Sequence, residues 1–162
     1  MKTLLLLRHA KSSWSDGNLS DYDRPLNERG RHDAPRMGKL LNSLDLVPDL
    51  ILTSSAKRAA MTADSVAESS SFDGEILYTR DLYLADPETY IDLARGTNDD
   101  IAILMMVGHN PGIEELVEQL GGRDETMSTA ALACIRLPIE RWRDIDLDET
   151  YELVGVWRPK EL

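Results

Sequence analysis

Two histidines, His9 and His109, and two arginines, Arg8 and Arg58, stand where the chain leaves short apolar runs or begins a helix-forming stretch. Arg8-His9 follows Leu4–Leu7 directly, and Gly108-His109-Asn110-Pro111 follows Ile101–Val107. A guanidinium presents a planar fork of donors that matches phosphate oxygens. A neutral imidazole is a competent nucleophile toward phosphorus, and a second imidazole, when protonated, can donate to the same phosphoryl group. Arg58 falls in the first turn of a predicted helix, whose N-terminus itself favours an anion. Together these groups suit phosphoryl transfer. The three histidines of the chain show neither His-x-His nor His-x-x-x-His spacing, so no metal site and no cofactor are expected.

Such groups work only if the elements around them converge. Leu4–Leu7 reads as a strand buried on both faces, with further strands at Leu50–Leu52, Glu75–Tyr78, Ile101–Val107, Leu132–Leu137 and Tyr151–Val156. Between them lie four helical patterns. Asn27 is placed to cap the first, which carries an apolar stripe of Ala34, Met37, Leu40, Leu41 and Leu44, with Pro35 predicting a late start or a kink. Ser54 or Ser55 would cap the second, Asp86-Pro87 opens the third, and Asn110-Pro111 opens a fourth that Gly121-Gly122 closes. The polar stretch from Ala10 to Leu26 has no period and reads as a long functional loop. Strands alternating with helices predict a single α/β domain over residues 1–162: a three-layer sandwich with a mostly parallel central sheet and helices on both faces. Ligands in such sheets bind beyond the C-terminal strand ends, where His9 and His109 are expected.

Three stretches carry a family resemblance. Leu7-Arg8-His9-Ala10-Lys11-Ser12-Ser13-Trp14 resembles the R-H-G-x-S-x-W signature of the histidine phosphatase superfamily. Ser55-Ala56-Lys57-Arg58-Ala59-Ala60-Met61-Thr62-Ala63 resembles its S-x-x-R-A-x-x-T-A, and Gly108-His109-Asn110-Pro111 its second-histidine motif. The short chain and Asp21–Gly30 are similar to the SixA-type phosphohistidine phosphatases. The resemblance implies that His9 becomes phosphorylated, that Arg8, Arg58 and His109 hold the phosphoryl group, and that Arg24, Asp21 and Ser15 contact the substrate. Ala10 replaces the usual glycine, and Ser15 stands where many relatives have asparagine. The carboxylate that phosphomonoesterases and mutases of the superfamily use as general acid has no clean counterpart after the third strand; Asp86 is nearby but reads as a helix cap. The implied activity is removal of phosphate from a protein phosphohistidine. The alternatives are a phosphomonoesterase with Asp21 or Asp86 as acid, and a phosphate-binding module without turnover.

Composition narrows the field further. A net charge of -11 disfavours nucleic-acid binding, so any positive site must be local. Arg8 and His9 interrupt the opening leucine run too early for a secretory signal, and no apolar stretch approaches bilayer length, so a cytoplasmic protein without a membrane partner is expected. His32, amid Arg29, Arg31, Asp33 and Arg36, reads as part of a solvated helix face. The lone Cys134 reads as a buried structural thiol, and the acidic stretch Glu140–Glu149 as solvated surface rather than a metal site.

Overall fold

Leu4, Leu5, Leu6 and Leu7 are completely buried because the strand they form, β1 (Lys2–Arg8), runs in the interior of a sheet covered on both faces. The computed structural model describes all 162 residues. Five further strands complete the sheet: β2 (Leu50–Ser54), β3 (Glu75–Thr79), β4 (Ile103–Gly108), β5 (Leu132–Leu137) and β6 (Glu152–Trp157). Their order is β3-β2-β4-β1-β5-β6. β3, β2, β4 and β1 pair in parallel, and β5 and β6 extend the sheet antiparallel. The fold is thus α/β with a mixed, mostly parallel sheet, as the alternation of strands and helices predicts.

Four helices divide between the faces. Helices α1 (Glu28–Ser43) and α2 (Lys57–Ser69) enclose Leu5, Leu7, Ile51, Met105 and Val107. Helices α3 (Pro87–Arg95) and α4 (Gly112–Gly121) enclose Leu4, Leu6, Leu52, Leu104 and Met106. Alternate residues of one continuous apolar strand therefore serve two separate cores, which is why the strand has to be apolar throughout. Cys134 is buried in the first of these cores, where loss of hydration pushes its thiol up to about 11.

Several local expectations change. The first helix starts at Glu28, capped by the Asn27 side chain accepting from the Gly30 amide at 2.9 Å, and it runs through Pro35 without interruption. Burial of Ala34, Met37 and Leu41 outweighs the missing hydrogen bond at the proline. Neither Ser54 nor Ser55 is the N-cap of α2; that position is Ala56, whose amide donates to Ser54 Oγ at 3.2 Å. Asn110 does not cap α4: Pro111 takes that position, and the Asn110 side chain is oriented by its Nδ2 donating to Glu114 and the Met127 carbonyl, which leaves Oδ1 without a partner. Asp86 caps α3 as expected, accepting from the Thr89 amide at 3.1 Å, and Gly122 closes α4 in the left-handed conformation.

The loop after β1 is held tightly against α1. A methyl group on Gly30 would stand 2.1 Å from the Lys11 carbonyl oxygen, which also accepts from the Asn27 amide at 3.0 Å. Gly30→Ala is expected to displace this loop and destabilise the fold by about 1–3 kcal/mol, the usual cost of overpacking. Gly17→Ala, where nothing lies within 4 Å, is the control. Urea denaturation giving equal midpoints for the two variants would contradict this account of the loop.

Candidate active site

Arg8 of β1 pairs with Gly108 of the parallel neighbour β4, so the chain emerges from both strands at the same level. His9 and His109 are the next residues on each, and their ring centres lie 5.1 Å apart. Both are buried, as are Arg24 and Arg58. With Arg8 they line one cavity of about 200 Å³ at the C-terminal edge of the parallel strands. A larger cavity of about 460 Å³ beside β2 and β3 carries Asp49, Glu75 and Asp92 but no histidine or arginine, a charge pattern that repels phosphate.

The hydrogen bonds set the tautomers. Nδ1 of His9 lies 2.7 Å from the Ala10 carbonyl oxygen, which can only accept. The proton therefore sits on Nδ1, and Nε2 keeps its lone pair. Burial pushes the pKa of this imidazole down to about 3, with His109, Arg58 and Arg8 contributing in the same direction. His9 is therefore neutral at physiological pH, with Nε2 free to act as a nucleophile. Ala10 takes no left-handed backbone conformation here; its amide donates to Thr62 Oγ1 at 3.0 Å, and that hydroxyl in turn donates to the Arg58 carbonyl at 2.7 Å. The turn after His9 is thereby tied to the helix that carries Arg58.

Burial, helped by Arg58, likewise lowers His109, to about 4. Its Nε2 lies 2.8 Å from Ser54 Oγ, the same hydroxyl that accepts from the Ala56 amide. The arrangement that satisfies both groups has Ser54 donating to Nε2, which leaves the proton of His109 on Nδ1. That nitrogen is buried without a partner, as are Nε of Arg8 and Nε of Arg58. Unpaired buried donors are rare in folded proteins. Here they belong to side chains that line one cavity, where the unpaired acceptor Oδ1 of Asn110 also lies; with Arg8, Arg24, Arg58 and Lys11 on its wall, that cavity is cationic and suits an anion. His109 can donate to that anion while neutral, so the protonated form expected from the sequence is not required.

Asp21 is not among the residues lining the cavity; it is exposed and pairs with two of the buried cations. Its carboxylate accepts from Arg24 at 3.0 and 3.1 Å, from Arg58 at 3.0 Å and from the Tyr83 hydroxyl at 2.5 Å. The Tyr83 bond first, then those from Arg24 and Arg58, hold its carboxyl down at about 2. An acid this strong keeps no proton to give at neutral pH; it orients two guanidinium groups. Arg24 also donates to Ser12 Oγ at 2.7 Å, and its guanidinium carbon lies over Trp14, 3.4 Å from the ring centre. Asp86 is exposed and held below the usual carboxylate range by the Thr89 bonds of its capping role, so it too is a poor proton donor. Ser15 is not brought to the cavity: it is exposed, and its hydroxyl pairs with Ser13 at 2.8 Å. His32 is exposed on α1, outside the cavity. No group of three or more His, Cys, Asp or Glu side chains is placed to hold a metal ion, and no helix is long and apolar enough to cross a membrane.

Tyr83 and the bond from Ser54 to His109 are not readable in the sequence. Tyr83 follows no period that points to the site, and Ser54 looks like an ordinary cap. Thr62 does carry a signal, since it lies four residues after Arg58 and so on the same helix face.

The depressed histidines make a direct prediction. In NMR titrations of the ligand-free protein, the ring signals of His9 and His109 should not move between pH 5 and pH 8, since both groups are already neutral there. A midpoint near 6.5 for either ring would mean that the pocket is wetter than its packing implies.

The sequence profile of the histidine phosphatase superfamily (branch 1) matches residues 4–82. A chloroplastic protein of Arabidopsis thaliana, itself uncharacterised, is 34% identical over 88% of this chain and 70% of its own length. A crystal structure from Agrobacterium tumefaciens, of a protein assigned but not established as the phosphohistidine phosphatase SixA, superposes with a TM-score of 0.83 at 30% identity over 98% of both chains. A protein histidine phosphatase SixA solved with tungstate gives the same TM-score, 0.83, at 20% identity over 98% of both chains, a likeness of fold.

Proposed function

This chain belongs to the histidine phosphatase superfamily, and on that premise we propose that it hydrolyses the phosphorus–nitrogen bond of a protein phosphohistidine through a phosphoryl group carried on His9. The observation that carries the reading is a neutral His9 with Nε2 free in a cavity that Arg8, Arg24, Arg58 and His109 also line. In the first step Nε2 attacks phosphorus in line with the leaving imidazole, and that bond breaks as the new one forms. The departing ring, protonated on its other nitrogen, leaves as neutral imidazole. In the second step water attacks phosphorus, the bond to His9 breaks, and histidine and inorganic phosphate are the products. Arg8, Arg58 and His109 stabilise the equatorial oxygens in both displacements. Arg24 completes the cationic wall, and Asp21 keeps Arg24 and Arg58 aimed. The positive charge of these side chains supports a reaction that needs no divalent metal.

The nature of the leaving group favours phosphohistidine over a phosphate monoester. An alkoxide is strongly basic and needs a proton from a positioned acid as it leaves, whereas imidazole does not. Asp21 and Asp86 are both held below the usual carboxylate range, Asp21 by Tyr83 and the arginines and Asp86 by Thr89. Turnover in the presence of a chelator should therefore be fast for a phosphohistidine protein, measurable for aryl phosphates and slow for sugar phosphates. Sugar phosphates turning over as fast as phosphohistidine, with Asp86→Asn destroying that activity, would establish the phosphomonoesterase reading instead. No turnover of any donor would leave a binding module.

A further inference from the structure

We propose that Trp14 and Leu84 form an apolar lip at the mouth of the cavity that docks the protein around the phosphohistidine, so that the preferred substrate is a phosphohistidine flanked by aliphatic side chains on a protein surface. The proposal rests on the phosphohistidine reading above and adds a determinant of partner choice to it.

Three observations converge on this lip. Of the residues lining the cavity only Trp14 and Leu84 are apolar, and they reach it from separate segments, the loop after β1 and the connection between β3 and α3. Both are largely open to solvent, at 73% and 57% exposure, although they border a site whose two histidines, Arg24 and Arg58 are buried. Large apolar groups exposed together beside a polar site mark a contact surface more often than a folding requirement. Leu84 also holds a left-handed backbone, with φ at +52°. A bulky aliphatic residue rarely occupies that region, and strain of this kind persists where the surroundings enforce it, commonly at ligand clamps. Trp14 is supported on one face by the Arg24 guanidinium, whose central carbon lies 3.4 Å from its ring centre.

The size of the cavity identifies what meets the lip. Pockets that enclose a small ligand run to about 300–1,000 Å³. At about 200 Å³ this one takes the phosphoryl group and little beyond the ring that bears it. The remainder of the substrate stays outside, against Trp14 and Leu84. Free phosphohistidine offers them only its charged amino-acid backbone, whereas a protein can offer aliphatic neighbours, and burying a leucine-sized group is worth about tenfold or more in affinity.

The test compares two donors with the same leaving group: free phosphohistidine, and a small purified protein phosphorylated on a surface histidine bordered by aliphatic residues. Leu84→Asn removes the apolar side chain and keeps a residue that tolerates the left-handed backbone. The expected result is a KM for the phosphoprotein raised about tenfold with little change in kcat, while kcat/KM for free phosphohistidine stays within about twofold. Equal losses on both donors would place Leu84 in the chemical step and overturn the lip, and so would an unchanged phosphoprotein KM. If the unsubstituted protein hydrolyses neither phosphohistidine donor, the functional reading itself fails and the lip fails with it. Turnover of both donors without any Leu84 effect removes the lip alone.

Discussion

His9→Ala should take up no phosphoryl label from any donor and should lose turnover by at least about 10⁴-fold, the scale seen when a covalent nucleophile is removed from a site whose other groups remain. The expectation follows from geometry. His9 Nδ1 is committed to the Ala10 carbonyl at 2.7 Å, so Nε2 is its only free nucleophilic atom. His109 is poorly placed to substitute, because its Nε2 is engaged by Ser54 and its Nδ1 is buried. The label on the unsubstituted protein should be lost in acid and survive base, as a phosphorus–nitrogen bond requires. Label persisting on the His9→Ala protein would assign the nucleophile elsewhere.

The same substitution has a second readout, in stability. The folded pKa of His9 is about 3, below the value near 6.5 expected in the unfolded chain. Between those two values the unfolded state binds more protons, so stability falls as pH drops through that window and is unaffected above it. His9→Ala removes this contribution. Its stability should therefore depend less on pH between about 6.5 and 3 than that of the parent, even where removing the ring lowers stability at neutral pH.

How much of this site is legible in the sequence depends on the distance over which each property is decided. β1 and β4 are readable because a doubly buried strand must be apolar along its whole length, and their apolar runs end with one intervening residue before His9 and one before His109, which is enough to put both histidines at strand ends. The caps are less readable. Asn110 has the right chemistry to cap α4, yet the bonds of its Nδ2 to Glu114 and to the Met127 carbonyl, distant in sequence, orient the side chain so that Oδ1 meets no helix amide. Asp21 shows the same effect in the site itself. Its place in the loop suggests contact with substrate, but its role is set by Arg58 and Tyr83, which arrive from α2 and from the segment after β3. Ser15 is expected beside the substrate from its place in a motif, and the loop turns it toward Ser13 and solvent instead.

The position of Asp21 shapes the expected behaviour of Arg58→Ala. Arg58 lies at the start of α2 with its side chain almost wholly buried, two of its nitrogens held by Asp21 and its Nε unpaired. An entering phosphoryl group meets a guanidinium that Asp21 already holds in place on the cavity wall, and whose charge acts without the carboxylate being displaced. As negative charge develops on the equatorial oxygens the contact strengthens, so its loss should fall on the transition state more than on substrate binding. The expected cost is about 2–4 kcal/mol, or roughly 30- to 1,000-fold in kcat/KM. Arg58→Lys should recover only part of it, because an ammonium cannot hold Asp21 and the phosphoryl group together as a planar fork does. Asp21→Asn should cost less than Arg58→Ala, since both guanidinium groups stay in place and lose only the charge that aims them. Thermal denaturation of each variant separates lost catalysis from lost folding, and His32→Ala, on the exposed face of α1, should match the parent in both. Damage at His32 equal to that at Arg58, or full activity in Arg58→Ala, would mean that the phosphoryl group is bound somewhere other than between the two strand ends.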